Sequence, residues 1–371
     1  MAMLLLGVLM LTSCSDDGSD DAPQDGNLRL LSVTRTDDTH AHVTSGGIRM
    51  FVTTADGTPN PGGFAYSDEP APEWTSSGFS LKENTQYYFY GYWPNDDDVV
   101  STESTVSAAA ADLNGDYSKG ADLAMYDLPP FTTQDILVIV GVGKADGAQT
   151  ADATHTTPTE GNYEYFAGLA GNNYVNLLMD HLYTQLQLQF CVDKNYYALR
   201  RIELTSVKLM TSYAKTVTAT VHLRSGQKPG LGNVEYSVGT AGSPTPHELL
   251  KSADPHVTLV EAPAEGAEDP VYTVFPQTGT DPVCCSPCLF SGDNLSVETT
   301  YNVYTATDKT TENPDGKGSL VRENCTATNK ITVTTTAAAP GMKKKFTLTV
   351  APTYLYVLAD PDLDNPTIRL N

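Results

Sequence analysis

The stretch LYTQLQLQF at residues 182–190 decides the fold, because its apolar and polar side chains alternate. The even positions hold Leu, Thr, Leu, Leu and Phe, whereas the odd positions hold Tyr and then three Gln. Successive side chains of a β-strand point to opposite faces, so this stretch predicts a strand with one buried and one wet face. The residues that we expect to be buried are Leu186, Leu188 and Phe190, and those that we expect to be exposed are Gln185, Gln187 and Gln189.

Short runs of branched and aromatic residues predict further strands along the whole chain. Gly, Pro, Asn and Asp, the usual residues of turns, separate these runs. The other predicted strands are 27–34, 48–54, 85–94, 135–142, 202–210, 216–223, 271–275, 301–306, 331–335, 345–350 and 354–358. No stretch shows sustained helical periodicity with caps. The chain of 371 residues is therefore predicted to be all-β, with two sandwiches that meet near residues 172–176.

The segment TQYYFYGYWP at residues 85–94 is unusually rich in aromatic residues. On a strand, Tyr88, Tyr90 and Tyr92 share one face, while Tyr87, Phe89 and Trp93 share the other. One interpretation is a platform on which sugar rings stack, and the other is a strand buried on both faces. The buried strand is the favoured interpretation.

The chain begins with an apolar run over residues 3–11, followed by Leu11-Thr12-Ser13-Cys14. The run is too short to span a bilayer and is typical of a secretory signal. With its cysteine it resembles a bacterial lipoprotein signal, although no Lys or Arg precedes the apolar run. The resemblance implies that residues 1–13 are removed and that Cys14 carries acyl chains. Residues 14–26 are then an acidic, flexible tether.

The charge balance argues against nucleic acid and anionic lipid as partners. Asp and Glu total 45 against 22 Lys and Arg, a formal net charge of −23. Such a chain repels nucleic acid and anionic lipid. No later segment is apolar and long enough to span a membrane, so membrane attachment is expected through Cys14 alone.

Two clusters have the composition of structural or metal sites. Cys284, Cys285 and Cys288, with Cys325 as a fourth ligand, could bind zinc, but one or two structural disulfides are the favoured interpretation in an exported protein. Asp360, Asp362 and Asp364 resemble the start of a calcium loop. Asn365 and Asn371 stand where such a loop needs Gly and Glu, so we expect a solvated turn.

Catalytic motifs are missing from the sequence. It contains no Gly-x-Ser-x-Gly, no His-Glu-x-x-His, no phosphate loop and no dinucleotide fingerprint. His40 and His42 lie close together, but no third metal ligand is near them in sequence. We expect no enzymatic activity and no cofactor.

Four motifs, in this order, resemble the fimbrillin-like (Mfa-type) lipoproteins of Bacteroidota. The first is the lipoprotein start with its acidic tether, and the second is VTRTDD at residues 33–38. The third is the pair YYFYGYWP at 87–94 and FTTQDILVIVGV at 131–142. The fourth is VNLLMDHLYTQLQLQF at 175–190. The carboxyl-terminal half matches less well.

The resemblance implies two tandem transthyretin-like β-sandwich domains, at 27–174 and 175–371, in a structural or adhesive pilus subunit. Such subunits are trimmed after an arginine, which removes the first strand and opens a groove for a strand of a neighbouring subunit. The expected processing site is Arg35, with Arg49 as its rival. The donor-strand candidates are Phe346, Leu348, Val350, Tyr354, Tyr356 and Leu358.

The expected partners are other pilus subunits or a second copy of the chain, joined by β-strand addition, and the outer membrane through a lipid anchor. A host glycan or protein is an open further ligand. The expected location is the cell surface, first lipid-anchored and then within the fimbrium. The alternative function is a glycan-binding surface lipoprotein with β-sandwich domains.

Overall fold

The computed structural model describes seventeen separate parts of the chain. They are residues 28–35, 42–67, 73–77, 79–95, 105–108, 117–145, 161–167, 173–211, 217–227, 231, 234–238, 246–267, 271–277, 283–290, 294–331, 339–353 and 362–370. Nearly all of their regular structure is β, which confirms the predicted fold class.

Strands β1 to β11 belong to the first part of the chain. They are β1 (Arg29–Arg35), β2 (Gly47–Thr53), β3 (Asn60–Ser67), β4 (Glu73–Ser77), β5 (Thr85–Trp93), β6 (Thr105–Ala108), β7 (Gly120–Leu128), β8 (Phe131–Thr132), β9 (Leu137–Ala145), β10 (Glu164–Ala167) and β11 (Tyr174–His181).

Strands β12 to β23 follow. They are β12 (Thr184–Val192), β13 (Arg200–Thr211), β14 (Val217–Arg224), β15 (Val234–Val238), β16 (His247–Leu250), β17 (Val257–Thr258), β18 (Thr273–Phe275), β19 (Val283–Cys285), β20 (Leu295–Ala306), β21 (Lys317–Ile331), β22 (Lys343–Thr353) and β23 (Asp362–Leu370).

Helical structure is limited to single turns in the parts of the chain that the structure describes. They are the α-helix Lys194–Tyr197 and the 3-10 turns Tyr117–Lys119 and Pro287–Phe290. Asp193 caps the α-helix by accepting the amide hydrogens of Asn195 and Tyr196. None of these turns has the length or the apolar character that crossing a bilayer requires.

The first sheet curls around a core of its own. Its eight strands run in the order β10-β5-β2-β3-β4-β1-β11-β9, and an additional β5–β9 pairing joins its two sides. Side chains such as Leu30, Ile48, Phe89 and Met179 fill the enclosed space. We call this the first-sheet core.

A four-stranded sheet, β15-β14-β7-β6, covers the outer face of the first sheet. Between them lies a second core, the middle core, which contains Tyr90, Tyr92, Leu123, Val140 and Val221. Strand β5 therefore lies between two cores, as the aromatic residues on both of its faces predict. Tyr87 is partly buried against the first-sheet core and the other five rings of the strand are buried, which argues against the sugar-stacking platform at this strand.

The remaining two sheets form a sandwich. The six-stranded sheet has the order β23-β22-β12-β19-β8 with β18 also paired to β12, and the five-stranded sheet has the order β16-β13-β20-β21 with β17 also paired to β13. Leu188, Leu204, Phe275 and Val297 lie in the sandwich core between them.

Strand β12 confirms the alternation that its sequence predicts. Leu186, Leu188 and Phe190 are buried, and the three Gln between them are partly exposed. Tyr183 differs, because it is buried in the middle core instead of facing water. Its hydroxyl donates a hydrogen bond to the carbonyl oxygen of Pro129, 2.7 Å away.

Several segments that read as turns or loops are strands. Pro61, Gly62 and Gly63 lie in β3, where Gly62 leaves room for the ring of Phe79 and Gly63 for the carbonyl of Ile48. Residues 107 and 108 lie outside the predicted strands but belong to β6. Asp362 and Asp364, expected in a solvated turn, belong to β23. Of the predicted strand at 331–335, the structure describes only Ile331, which ends β21.

Candidate functional site: the first strand and its surroundings

Strand β1 is bonded to β11 along its whole length. The pairing is parallel and runs from Arg29 opposite Tyr174 to Arg35 opposite Met179, with an irregularity between Leu30 and Ser32. The hydroxyl of Ser32 also donates to the side-chain oxygen of Asn176, 2.7 Å away, and both side chains are buried. One edge of β1 is therefore paired with β11 along the whole strand.

The other edge of β1 has few partners among the described residues. Leu30 pairs with Trp74 of β4, and this is the single register pair between these two strands. Two further backbone bonds connect this side of the strand: Leu28 N–H donates to Phe79 O at 3.2 Å, and Val43 N–H donates to Val33 O at 3.0 Å. An uneven ladder of this kind makes β1 easier to separate from β4 than from β11.

The side chains of β1 are part of the first-sheet core. Leu30 and Val33 of β1, together with Leu28 just before the strand, are buried there beside residues of β2, β9 and β11. Taking β1 away would leave an apolar groove between β4 and β11 with an unpaired strand edge on each side.

Arg35 is the last residue of β1. The predicted strand at 27–34 placed Arg35 in the loop that follows. The Arg35 side chain is partly buried, and its Nε has no hydrogen-bond partner among the described residues. Burial and the charge of Asp135 raise the pKa of the Cys284 thiol, while the nearby Arg35 guanidinium acts in the opposite direction. The end of β1 thus lies close to β19 in the second half of the chain.

Arg49, the rival processing site, is held more firmly. It lies within β2, opposite Gly63 of β3 on one side and Tyr92 of β5 on the other. A protease would have to open both ladders to reach it.

The carboxyl-terminal donor candidates divide into two groups. Phe346, Leu348 and Val350 lie on β22, which is parallel to β12 along this stretch and antiparallel to β23 from Leu348 onward. The strand is therefore internal at Leu348 and Val350. Leu348 and Val350 are buried in the sandwich core. Tyr354, Tyr356 and Leu358 lie outside the described residues, as does the proposed lipidation site Cys14.

The expected disulfides are absent from the part of the chain that the structure describes. Cys191, Cys284, Cys285, Cys288 and Cys325 all carry thiols. Cys284 and Cys285 are neighbours on β19 and point to opposite faces, one into the middle core and the other into the sandwich core. This geometry prevents the two from bonding to each other.

Cys285 lies on strand β19, and Cys288 lies on the 3-10 turn that follows it. The sequence did not predict this strand-to-turn arrangement. Burial raises the pKa of both thiols. Reactive redox cysteines have lowered pKa values, so this pair lacks the electrostatics of a redox site.

No cluster of three or more His, Cys, Asp or Glu side chains within the described ranges could share a metal ion. His181 instead contacts Asp135, and both side chains are mostly buried. His42 forms an isolated bridge to Thr34 beside β1, whereas His40 lies outside the described ranges.

A charged network that the sequence did not predict lies on β13, β20 and β21. Glu203 is mostly buried and accepts hydrogen bonds from Lys317 at 2.6 Å, Asn302 at 3.2 Å and Tyr304 at 2.9 Å. Burial by itself would raise the pKa of Glu203, but these bonds outweigh it and lower the pKa. Burial would likewise lower the pKa of Lys317, and its contact with Glu203 raises it. Only the register between three distant segments brings these residues together, and the sequence does not display that register.

No protein-family model and no curated protein matches the chain. Similar solved structures include a fimbrial protein from Bacteroides vulgatus, at 13% identity and a TM-score of 0.37, covering 92% of this chain and 98% of that one. A candidate cell adhesion protein from Bacteroides uniformis has 10% identity and a TM-score of 0.38, covering 94% of this chain and 98% of that one. A fimbrial protein from Bacteroides ovatus has 10% identity and a TM-score of 0.33, covering 87% of this chain and 48% of that one.

These three structures are named as fimbrial or cell adhesion proteins. Their TM-scores all lie below 0.5, so they assign neither a detailed fold nor a function to this chain.

Proposed function

We propose that the chain is a fimbrillin-like pilus subunit that assembles by strand exchange after β1 has been removed. The observation that carries the proposal is the position of β1. It fills an apolar slot of the first-sheet core, is bonded along one edge, and has only sparse contacts along the other. A neighbour's strand could replace it, because main-chain hydrogen bonds and apolar pockets do not depend on which chain supplies the strand.

Arg35 is the proposed processing site. It is the last residue of β1, so a cut after it separates the whole strand from the rest of the chain. A cut after Arg49 would also remove part of β2, which pairs with both β3 and β5. The supporting fact is therefore the match between the end of the strand and the position of the arginine.

The donor is proposed to come from the carboxyl terminus. Releasing β22 would break two ladders and expose Leu348 and Val350. Strand β23 pairs within its sheet with β22 alone, so it costs less to release, and it adds Ile368 as a buried side chain to the candidates. Tyr354, Tyr356 and Leu358 belong to the segment between these two strands and remain candidates.

The anchor and the location follow from the amino-terminal segment. We propose that Cys14 is acylated and that the acidic tether carries the protein to the cell surface. A single acyl chain binds a membrane only weakly, so more than one chain is expected on Cys14. The proposed role is structural or adhesive and involves no catalysis, with other pilus subunits or a second copy as partners.

Limited proteolysis with a trypsin-like protease, followed by size-exclusion chromatography, tests the proposal. We expect a cut after Arg35 and the appearance of dimers and longer ladders. Arg49→Ala is the matched control, because it should leave both the cut and the ladders unchanged. An Arg35→Ala protein that still assembles like the wild type would exclude this route.

A further inference from the structure

A cavity of about 840 Å³ opens at one side of the sandwich, between the edges of its two sheets. Strands β16 and β17 and the loop between them form one wall. The other wall comes from Thr133, Pro276, Gln277 and Val283, and Asp315 also lines the space. Its volume lies within the range of about 300–1,000 Å³ that is usual for small-molecule sites.

The acidic groups of the cavity have capacity for further hydrogen bonds. One oxygen of Asp254 accepts the backbone N–H of Lys251 at 2.8 Å, and one oxygen of Asp315 accepts the hydroxyl of Thr258 at 2.9 Å. Glu248 lies 3.5 Å from Lys208 and is partly exposed. An ionised carboxylate offers about four acceptor positions, so each of these groups can also accept a ligand hydroxyl.

The lining also contains donor groups. His247 packs against the ring of Phe131, with ring centroids 5.8 Å apart, and burial lowers its pKa. A neutral imidazole presents one donor and one acceptor. His256 has its Nδ1 3.4 Å from Glu203 Oε2, and Lys251 and Gln277 add further donors to the lining.

The remaining lining is apolar and comes mainly from Leu249, Leu250, Pro255, Val257, Pro276 and Val283. A lining that combines donors and acceptors with apolar side chains suits a pyranose ring, which has a hydroxylated edge and a C–H face. Asp254, Asp315 and Glu248 outnumber Lys251, and the whole chain carries a charge of −23, so an anionic ligand is disfavoured.

We propose that this cavity binds a neutral glycan of a few sugar units. Strand β1 does not line it, so the proposal stands independently of strand exchange. It also places glycan recognition away from the aromatic strand β5, five of whose six rings are buried.

The experiment is an array of neutral and anionic glycans probed with the full chain, followed by calorimetric titration of the tightest neutral glycan. Two variants alter the cavity from its exposed rim. His256→Ala removes one hydrogen-bonding group and should weaken binding about fivefold to tenfold. Thr133→Trp places a ring at the mouth and should abolish binding. Glu312→Ala changes an exposed acid outside the lining and is the matched control.

Thermal unfolding of each variant separates a loss of binding from a loss of fold, and Thr133 is exposed, so its replacement should be tolerated. Retention of a neutral glycan by the wild type and by Glu312→Ala, with loss in Thr133→Trp, would support the proposal. It would be overturned if the array retained no neutral glycan, or if Thr133→Trp bound with unchanged affinity.

Discussion

Leu188 lies at the centre of the sandwich, opposite Phe346 on one side and Phe275 on the other, and is fully buried. Replacing it by Ala leaves a cavity that the packed neighbours cannot fill completely. We expect Leu188→Ala to lower the free energy of unfolding by about 2–5 kcal/mol, measured by chemical denaturation.

Gln187 is the matched control for this change, because it precedes Leu188 on the same strand and faces the wet side. We expect Gln187→Ala to change the free energy of unfolding by no more than about 0.5 kcal/mol. Equal effects of the two substitutions would contradict the alternation of buried and exposed faces on β12.

Glu203 adds a charged network to the apolar packing and backbone ladders that join β13, β20 and β21. Glu203→Gln keeps the shape of the side chain but removes the negative charge that pairs with Lys317. It should lower the free energy of unfolding by about 1–3 kcal/mol at neutral pH. The folded-state pKa of Glu203 is lowered, so its contribution is present above the unfolded pKa of about 4.3 and is lost as the pH falls through the folded value.

Denaturation of wild type and Glu203→Gln between about pH 7 and pH 3 measures this contribution. The difference between the two proteins should shrink at the acidic end of that range. A difference that stayed constant down to pH 3 would show that the network contributes no pH-dependent stability.

At the scale of elements, β1 also limits its own removal. Proteases bind substrates in an extended form, yet Ser32, Val33 and Thr34, which precede the proposed cut, are buried and paired with β11. Cleavage after Arg35 therefore requires local opening of the strand, and its rate should follow the population of the opened form.

Val33→Ala should raise that population, because Val33 is buried in the first-sheet core and anchors the end of β1. We expect cleavage after Arg35 to become about fivefold faster, which corresponds to a decrease of roughly 1 kcal/mol in the free energy of opening β1. The measurement is the rate of appearance of the trimmed chain by mass spectrometry.

Val297→Ala is the control, because Val297 is a buried valine of similar burial in the sandwich core. It should leave the cleavage rate unchanged. If both variants accelerated cleavage equally, the cut would proceed through global unfolding, and β1 would not open by itself.

The elements that sequence patterns predicted well are those with branched apolar runs, such as β9, β12 and β13. Strand β3 was missed because Pro61, Gly62 and Gly63 are typical of turns, although here they serve close packing. The sheet order could not be predicted, because it depends on contacts between distant segments. For the same reason the sequence indicated Arg35 as a site but not its place in the ladder beside Met179.

The whole molecule is more interleaved than two tandem sandwiches would be. The four-stranded sheet joins β7 to β14, from Gly120 opposite Arg224 to Leu128 opposite Val217. Strand β11 lies between β1 and β9 in the first sheet, and β8 pairs with β19 in the sandwich. The boundary between residues 174 and 175 remains a prediction that the chain has two independent folding units. The interleaving of strands argues instead that the two parts fold together.

We predict that the chain unfolds in a single cooperative transition and that residues 28–174 do not fold alone. That fragment lacks β11, so β1 loses its fully bonded edge. It also lacks β14 and β15, so Leu123 and Met125 of β7 lose the apolar partners Val217, Ala219 and Val221 in the middle core. The exposed apolar surface and unpaired edges should leave the fragment unfolded or aggregated.

Calorimetry of the full chain tests the first half of this prediction, since one transition with equal calorimetric and van't Hoff enthalpies indicates two-state unfolding. Circular dichroism and size-exclusion chromatography of residues 28–174 test the second half. Residues 28–238 form the comparison fragment, because they restore β11, β14 and β15. They still expose the apolar faces of β12 and β13, so they should regain more β-structure than residues 28–174 but not the stability of the full chain. Two separate transitions, together with a folded monomer of residues 28–174, would contradict the interleaved architecture and support the boundary at 174 and 175.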